Sequence, residues 1–146
     1  MIHVSIKGQI AKKSQIIDFV GDTLYFLMPR LRRNVDIDIE IVNKIADDPS
    51  HYAQCSGDKN SADITLCRYN ENGVRFTLDE IMLNLAHELI HAKQYFKKEL
   101  SPVKHTWKGK DHSKTSYARQ PWEKEAYKLE CKIYNMFWCG RDYFIE

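Results

Sequence analysis

The chain reads as an α+β domain. Three observations predict this. Apolar residues recur at helical spacing from about Ser14 to Arg32. Apolar and polar residues alternate strictly from Asn34 to Val42. A second helical stretch, from Leu78 to about Lys98, is apolar nearly all round. A chain of 146 residues is the length of one domain and can bury a core without disulfide or metal staples.

The elements follow in order. In the first helix Ile16, Ile17, Val20, Leu24, Tyr25, Met28 and Leu31 mark the repeat, and Pro29 kinks or ends it. Val35, Ile37, Ile39 and Ile41 then define a strand with one buried face. Tyr52–Cys55 is a second strand, the polar run 56–60 a turn, and Ala62–Tyr69 a third strand. Residues 70–73 turn the chain again, and Val74–Phe76 is a short extended piece. Thr77 and Glu80 form a capping box at the start of the central helix, where Asp79 and Glu80 also suit the helix dipole. A helix so apolar belongs in the middle of a domain. Residues 103–120 are polar, with a loose hairpin about Trp107-Lys108-Gly109. Pro121 opens a last helix reaching about Trp138, and Gly140 ends it.

Composition excludes several classes. Hydrophobic residues are 43% and charged residues 29%, and the net charge of +2 is too small to argue for nucleic acid by itself. Basic residues gather at Arg30, Arg32 and Arg33 and again from Lys104 to Lys114, which reads as solvated surface. No stretch approaches the roughly 20 apolar residues of a membrane span, and residues 1–7 lack the apolar core of a signal peptide. Cys55, Cys67, Cys131 and Cys139 form no CxxC pair, so a cysteine-rich zinc site is not expected. Reduced thiols and a cytoplasmic location are the default.

The central helix carries His87-Glu88-Leu89-Ile90-His91, an HExxH pattern. Histidines four apart lie one turn apart on the same face, where both rings can reach one zinc ion. Glu88 flanks them, placed to take a proton from the attacking water and pass it to a leaving amine. Burying two imidazoles and a carboxylate without partners costs several kcal/mol, and a metal would offset that cost. The third ligand must come from downstream: the HxxGxxH extension is absent, with Gln94 and Lys97 at its positions. Candidates are His105, His112, Glu123 and Glu125. Glu123 and Glu125 point ~200° apart on a helix. Glu123 shares a face with Ala126, Tyr127 and Tyr134, whereas Glu125 borders Lys124, Lys128 and Lys132, so Glu123 is favoured. Tyr95, Tyr117 and His112 are candidates for steadying the oxyanion.

His87 to His91, Trp107, Gly109, Tyr117 and Pro121-Trp122-Glu123-Lys124-Glu125-Ala126 together resemble the small SprT-like metallopeptidases of phages and bacteria. More broadly, the order is similar to minimal gluzincins. The resemblance spans about residues 77–138. It implies a zincin-like fold, zinc, a peptide or protein substrate, and an edge strand that pairs with the substrate, here Ala62 to Tyr69 by position. The chain departs from SprT enzymes in lacking their third histidine and zinc-ribbon cysteines. It departs from many gluzincins in placing Tyr127 where an acidic residue would orient a ligand histidine. Two other readings compete with the peptidase: a non-catalytic zinc-stabilised regulatory or binding module, and a DNA-associated protein using the 104–114 stretch. The sequence therefore predicts about one zinc per chain, held by a set of three protein ligands. Elemental analysis of protein purified without chelator checks this; metal-free protein that gains no thermal stability on adding zinc would refute it.

Overall fold

The first seven residues form a strand. A computed structural model of the chain, describing residues 1–45, 51–101 and 105–139, places β1 at Ile2–Lys7. Its Ile2, Val4 and Ile6 alternate with polar residues and pack against the core. This strand is not among the expected elements: three alternating apolar residues at Ile2, Val4 and Ile6 are a short local signal, and pairing with β2 gives them a partly buried face. Helix α1 spans Lys13–Leu27. It stops short of the expected Arg32 because Pro29 drives Met28 out of helical geometry, to φ −138° and ψ 64°. Phe19, not Ile17 or Tyr25, faces inward: Phe19 is fully buried, whereas Ile17 and Tyr25 are exposed.

Strand β2 spans Val35–Val42, with its four expected residues buried and Asp36, Asp38 and Glu40 exposed. It pairs in parallel with β1 on one side and with β4, Ser61–Cys67, on the other. Strand β3, Ala53–Gly57, pairs antiparallel with β4. The sheet order is β1-β2-β4-β3, so β4 is interior. This corrects the expectation that residues 62–69 form the free edge; that edge belongs to β3. The β3–β4 turn closes tightly because Gly57 has no Cβ, which would stand 2.6 Å from the Ser61 carbonyl oxygen. Asp58 Oδ1 accepts the Asn60 and Ser61 amides there, at 2.8 and 3.0 Å.

Helix α2, Leu78–Phe96, has the expected capping box. Thr77 Oγ1 accepts the Glu80 amide at 3.2 Å, and Glu80 Oε1 accepts the Thr77 amide at 2.9 Å. It packs on β3 and β4, on α1, and on the last helix α3, Pro121–Tyr134. That placement accounts for apolar residues on nearly every side. Between them, β5 (Thr106–Trp107) and β6 (Lys110–Asp111) form the small hairpin, with Lys108 and Gly109 both at positive φ, as a tight two-residue turn requires. Pro121 is the first residue of α3. A π-helical turn, Asn135–Cys139, follows it; Gly140 lies outside the described residues, as does Lys104. The result is an α+β fold of three helices and a small mixed sheet among the described residues, and no helix is long and apolar enough to cross a membrane.

Trp138, fully buried, meets the Phe19 ring edge-on at 6.0 Å, and its indole N–H donates to Asp79 Oδ1 at 2.9 Å. It ties the π-turn to both earlier helices. Replacing Trp138 by Ala should cost about 3–5 kcal/mol of stability, read from the urea unfolding midpoint at unchanged slope.

Candidate metal centre

Three side chains converge where α2 faces α3. His87 Nε2 lies 3.1 Å from Glu123 Oε1, His91 Nε2 lies 3.2 Å from the same oxygen, and the two imidazole nitrogens are 3.2 Å apart. These three residues could hold a metal ion. The four-residue spacing stacks the histidines one turn apart, and Pro121 starts α3 so that its third residue points back at them. All three side chains are nearly buried, at 8–12% exposure. Burial opposes the charge on Glu123, but its hydrogen bonds to His87 and His91 outweigh it and hold the carboxyl at about 2. Burial likewise opposes protonation of His91, yet Glu123 and Glu88 raise its pKa.

The outer nitrogens are held as well. Gln94, fully buried, accepts from His91 Nδ1 at 2.8 Å through Oε1. Its amide Nε2 donates to the Trp122 carbonyl at 2.9 Å and to Glu125 Oε1 at 3.0 Å. With the proton on Nδ1, the His91 Nε2 lone pair is turned toward the cluster. Glu130 Oε2 lies 3.7 Å from His87 Nδ1 and can orient that ring in the same manner. Sequence reasoning sought this carboxylate at Tyr127 and missed it. The signal was present: Glu130 follows Glu123 by seven residues, two turns on along one face. The Tyr127 ring instead packs on His87, with centroids 4.7 Å apart.

Glu125 is not the solvated residue expected from its Lys124–Lys132 neighbours. It turns to α2 and pairs with Lys93 Nζ at 2.8 Å, as does Glu99 from just beyond the end of that helix. The charge of the buried Lys93 is thereby matched from two sides. His105 and His112 stand on the hairpin side, with their rings 5.9 and 6.0 Å from Trp122. His112 Nδ1 lies 3.0 Å from Thr115 Oγ1. Neither joins the cluster.

Glu88 is buried beside the histidines, and desolvation raises its pKa. It lines a cavity of about 330 Å³ together with His87, Tyr117, Tyr127, Glu130 and Ala53 of β3. Tyr117 stands on a short 3-10 turn, residues 117–119, just before α3, and its hydroxyl is 3.1 Å from that of Tyr127. Tyr95 lies one turn beyond His91. Burial, then the charges of Cys55, Glu88 and Glu123, push its hydroxyl to about 12, so it stays a proton donor. The cavity thus combines His87 of the three-donor cluster, a carboxylate with raised proton affinity and the phenols of Tyr117 and Tyr127. Comparison with known protein families, with characterised proteins and with solved structures gives no match.

Replacing Glu123 by Ala should lower zinc affinity by at least about a hundredfold, since one of three donors goes. Replacing Glu125 by Ala should leave the donors in place and shift affinity by less than about tenfold, while lowering thermal stability because buried Lys93 keeps only Glu99 of its two anionic partners. Competition against a chelating dye measures the first effect and thermal unfolding the second.

Proposed function

We propose that the protein is a zinc-dependent metallopeptidase with a zincin-like fold. The observation that carries the reading is the convergence of His87, His91 and Glu123 on one point, with Glu88 buried next to them. Tetrahedral zinc at ~2.0–2.1 Å from its ligands spaces them roughly 3.3–3.4 Å apart, close to the 3.1–3.2 Å between these atoms. Two imidazoles and a carboxylate are also a donor set that zinc favours for catalysis, with one position left open. When bound, zinc supplies a Lewis acid that polarises a peptide carbonyl and makes water a better nucleophile.

The chain's own residues supply the rest. Glu88, its proton affinity raised by burial, accepts a proton from the attacking water and returns it to the departing amine. A structural metal site would need no such base. Tyr117 is the oxyanion donor of choice, because its hydroxyl borders the cavity that Glu88 and His87 line. His112 is engaged with Thr115, and Tyr95 lines a different cavity. The free edge of β3, beginning at Ala53 in the cavity wall, offers unpaired backbone groups to an extended peptide.

Glu88→Gln should retain about one zinc per chain yet cut a quenched-fluorescent peptide library at least 10²-fold more slowly. Tyr117→Phe should lower kcat by ~10²-fold with KM little changed. Cleavage by Glu88→Gln at a rate comparable to wild type would remove Glu88 as the base.

A further inference from the structure

The face of α2 that lines the cavity at Asn84 and Glu88 runs on toward the end of the helix. Asn84, Glu88, His91 and Tyr95 follow one another at spacings of four, three and four residues, a single stripe of about 17 Å along α2. Asn84 and Glu88 line the cavity beside the cluster, and Tyr95 lines a second cavity of about 460 Å³ with Lys59 and Lys98. Strand β3 runs the same course. Ala53 borders the first cavity, and Asp58, just past its other end, borders the second. A third hollow, of about 570 Å³, shares Lys98 with the second and adds Arg30, Arg33 and Lys97 over an apolar floor that includes Met28 and Phe96.

The charge along this path is one-sided. Among the described residues, the second and third hollows are lined by Arg30, Arg33, Lys59, Lys97 and Lys98 against Asp58 and Glu99. Both anions are engaged: Asp58 by the amides of its own turn, Glu99 by Lys93 and Lys108. Arg33 is fixed by the carbonyls of Lys59 and Phe96, which places its charge between the two hollows. Lys97 and Lys98 complement the C-terminal end of α2, but that accounts for neither Arg30 nor Lys59.

We propose that this groove selects substrates with an acidic stretch on the side of the scissile bond that leaves past Tyr95, an inference that rests on the metallopeptidase reading. A peptide laid along β3 covers about 17 Å from Ala53 to Asp58. Its next residues then meet the cationic hollows, whose apolar floor receives the stems of glutamate side chains. Such exposed pairs are individually weak, and several together give about tenfold in affinity.

The test uses the full chain, zinc-loaded and carrying Glu88→Gln so that cutting is slow on the timescale of the measurement. Fluorescence anisotropy compares three labelled peptides with a common apolar core: a glutamate block before it, the same block after it, and a glutamine block. One acidic peptide should bind about tenfold tighter than the glutamine peptide, and the difference should shrink as salt is added. Lys59→Glu with Lys98→Glu should abolish the preference, and Arg30→Glu with Lys97→Glu should reduce it. Equal affinities, or a preference that survives both pairs of changes, would overturn the proposal. So would tighter binding of a single-stranded oligonucleotide of equal charge, which would assign the groove to nucleic acid. Mass spectrometry of the same peptides after incubation with the unmutated chain separates this from the underlying reading. Preference without cleavage upholds the acidic groove and removes the peptidase; cleavage without preference does the reverse.

Discussion

A helix buried on every side must place its polar residues against partners, because an unpaired buried charge or imidazole costs several kcal/mol. Helix α2 is under this constraint. It lies between the sheet and α3, yet carries Glu88, His91, Lys93 and Gln94 in buried positions. Each of the last three is met from the first two turns of α3: His91 by Glu123, Lys93 by Glu125, Gln94 by the Trp122 carbonyl and Glu125. The docking of these two helices is therefore fixed by polar pairs at their contact, with Trp122 and Ala126 supplying apolar surface between them.

The same pairs arrange the candidate metal ligands. Gln94 connects His91 to the start of α3, so the register that packs Trp122 is also the register that aims Glu123. Glu125 and Glu99 share Lys93, which leaves Glu123 free for the histidines. Glu88 has no such partner on α3 and lines the cavity instead. That division sets one carboxylate at about 2 and moves the pKa of the other upward. Two carboxyls in one site with diverging proton affinities suit two different roles.

The sheet supplies the other wall. Because β2 and β4 line up Val35, Ile37, Ile39 and Ile41 with Ala62, Ile64 and Leu66 on one face, both long helices pack there and the opposite face keeps Asp36, Asp38 and Glu40. Strand β3 ends the sheet next to α2, so its open edge borders the groove rather than the far side of the molecule.

The sequence determined the local features. The capping box at Thr77, the alternation in β2, Pro121 at the start of α3 and the HExxH spacing were legible because each depends on a few neighbouring residues and a fixed helical or strand period. That Glu123 lies on a face of α3 able to meet the histidines also followed from the helical period. What α3 does with Glu125 and Glu130 did not follow, since Lys93 and His87 lie more than thirty residues away and only the packing of two helices brings them within reach. The order of strands was hidden for a similar reason. Ala62–Cys67 alternates as an edge strand could, and only its pairing on both sides, with β2 and β3, makes it interior. Pairing partners are set by long-range burial, which no local period records.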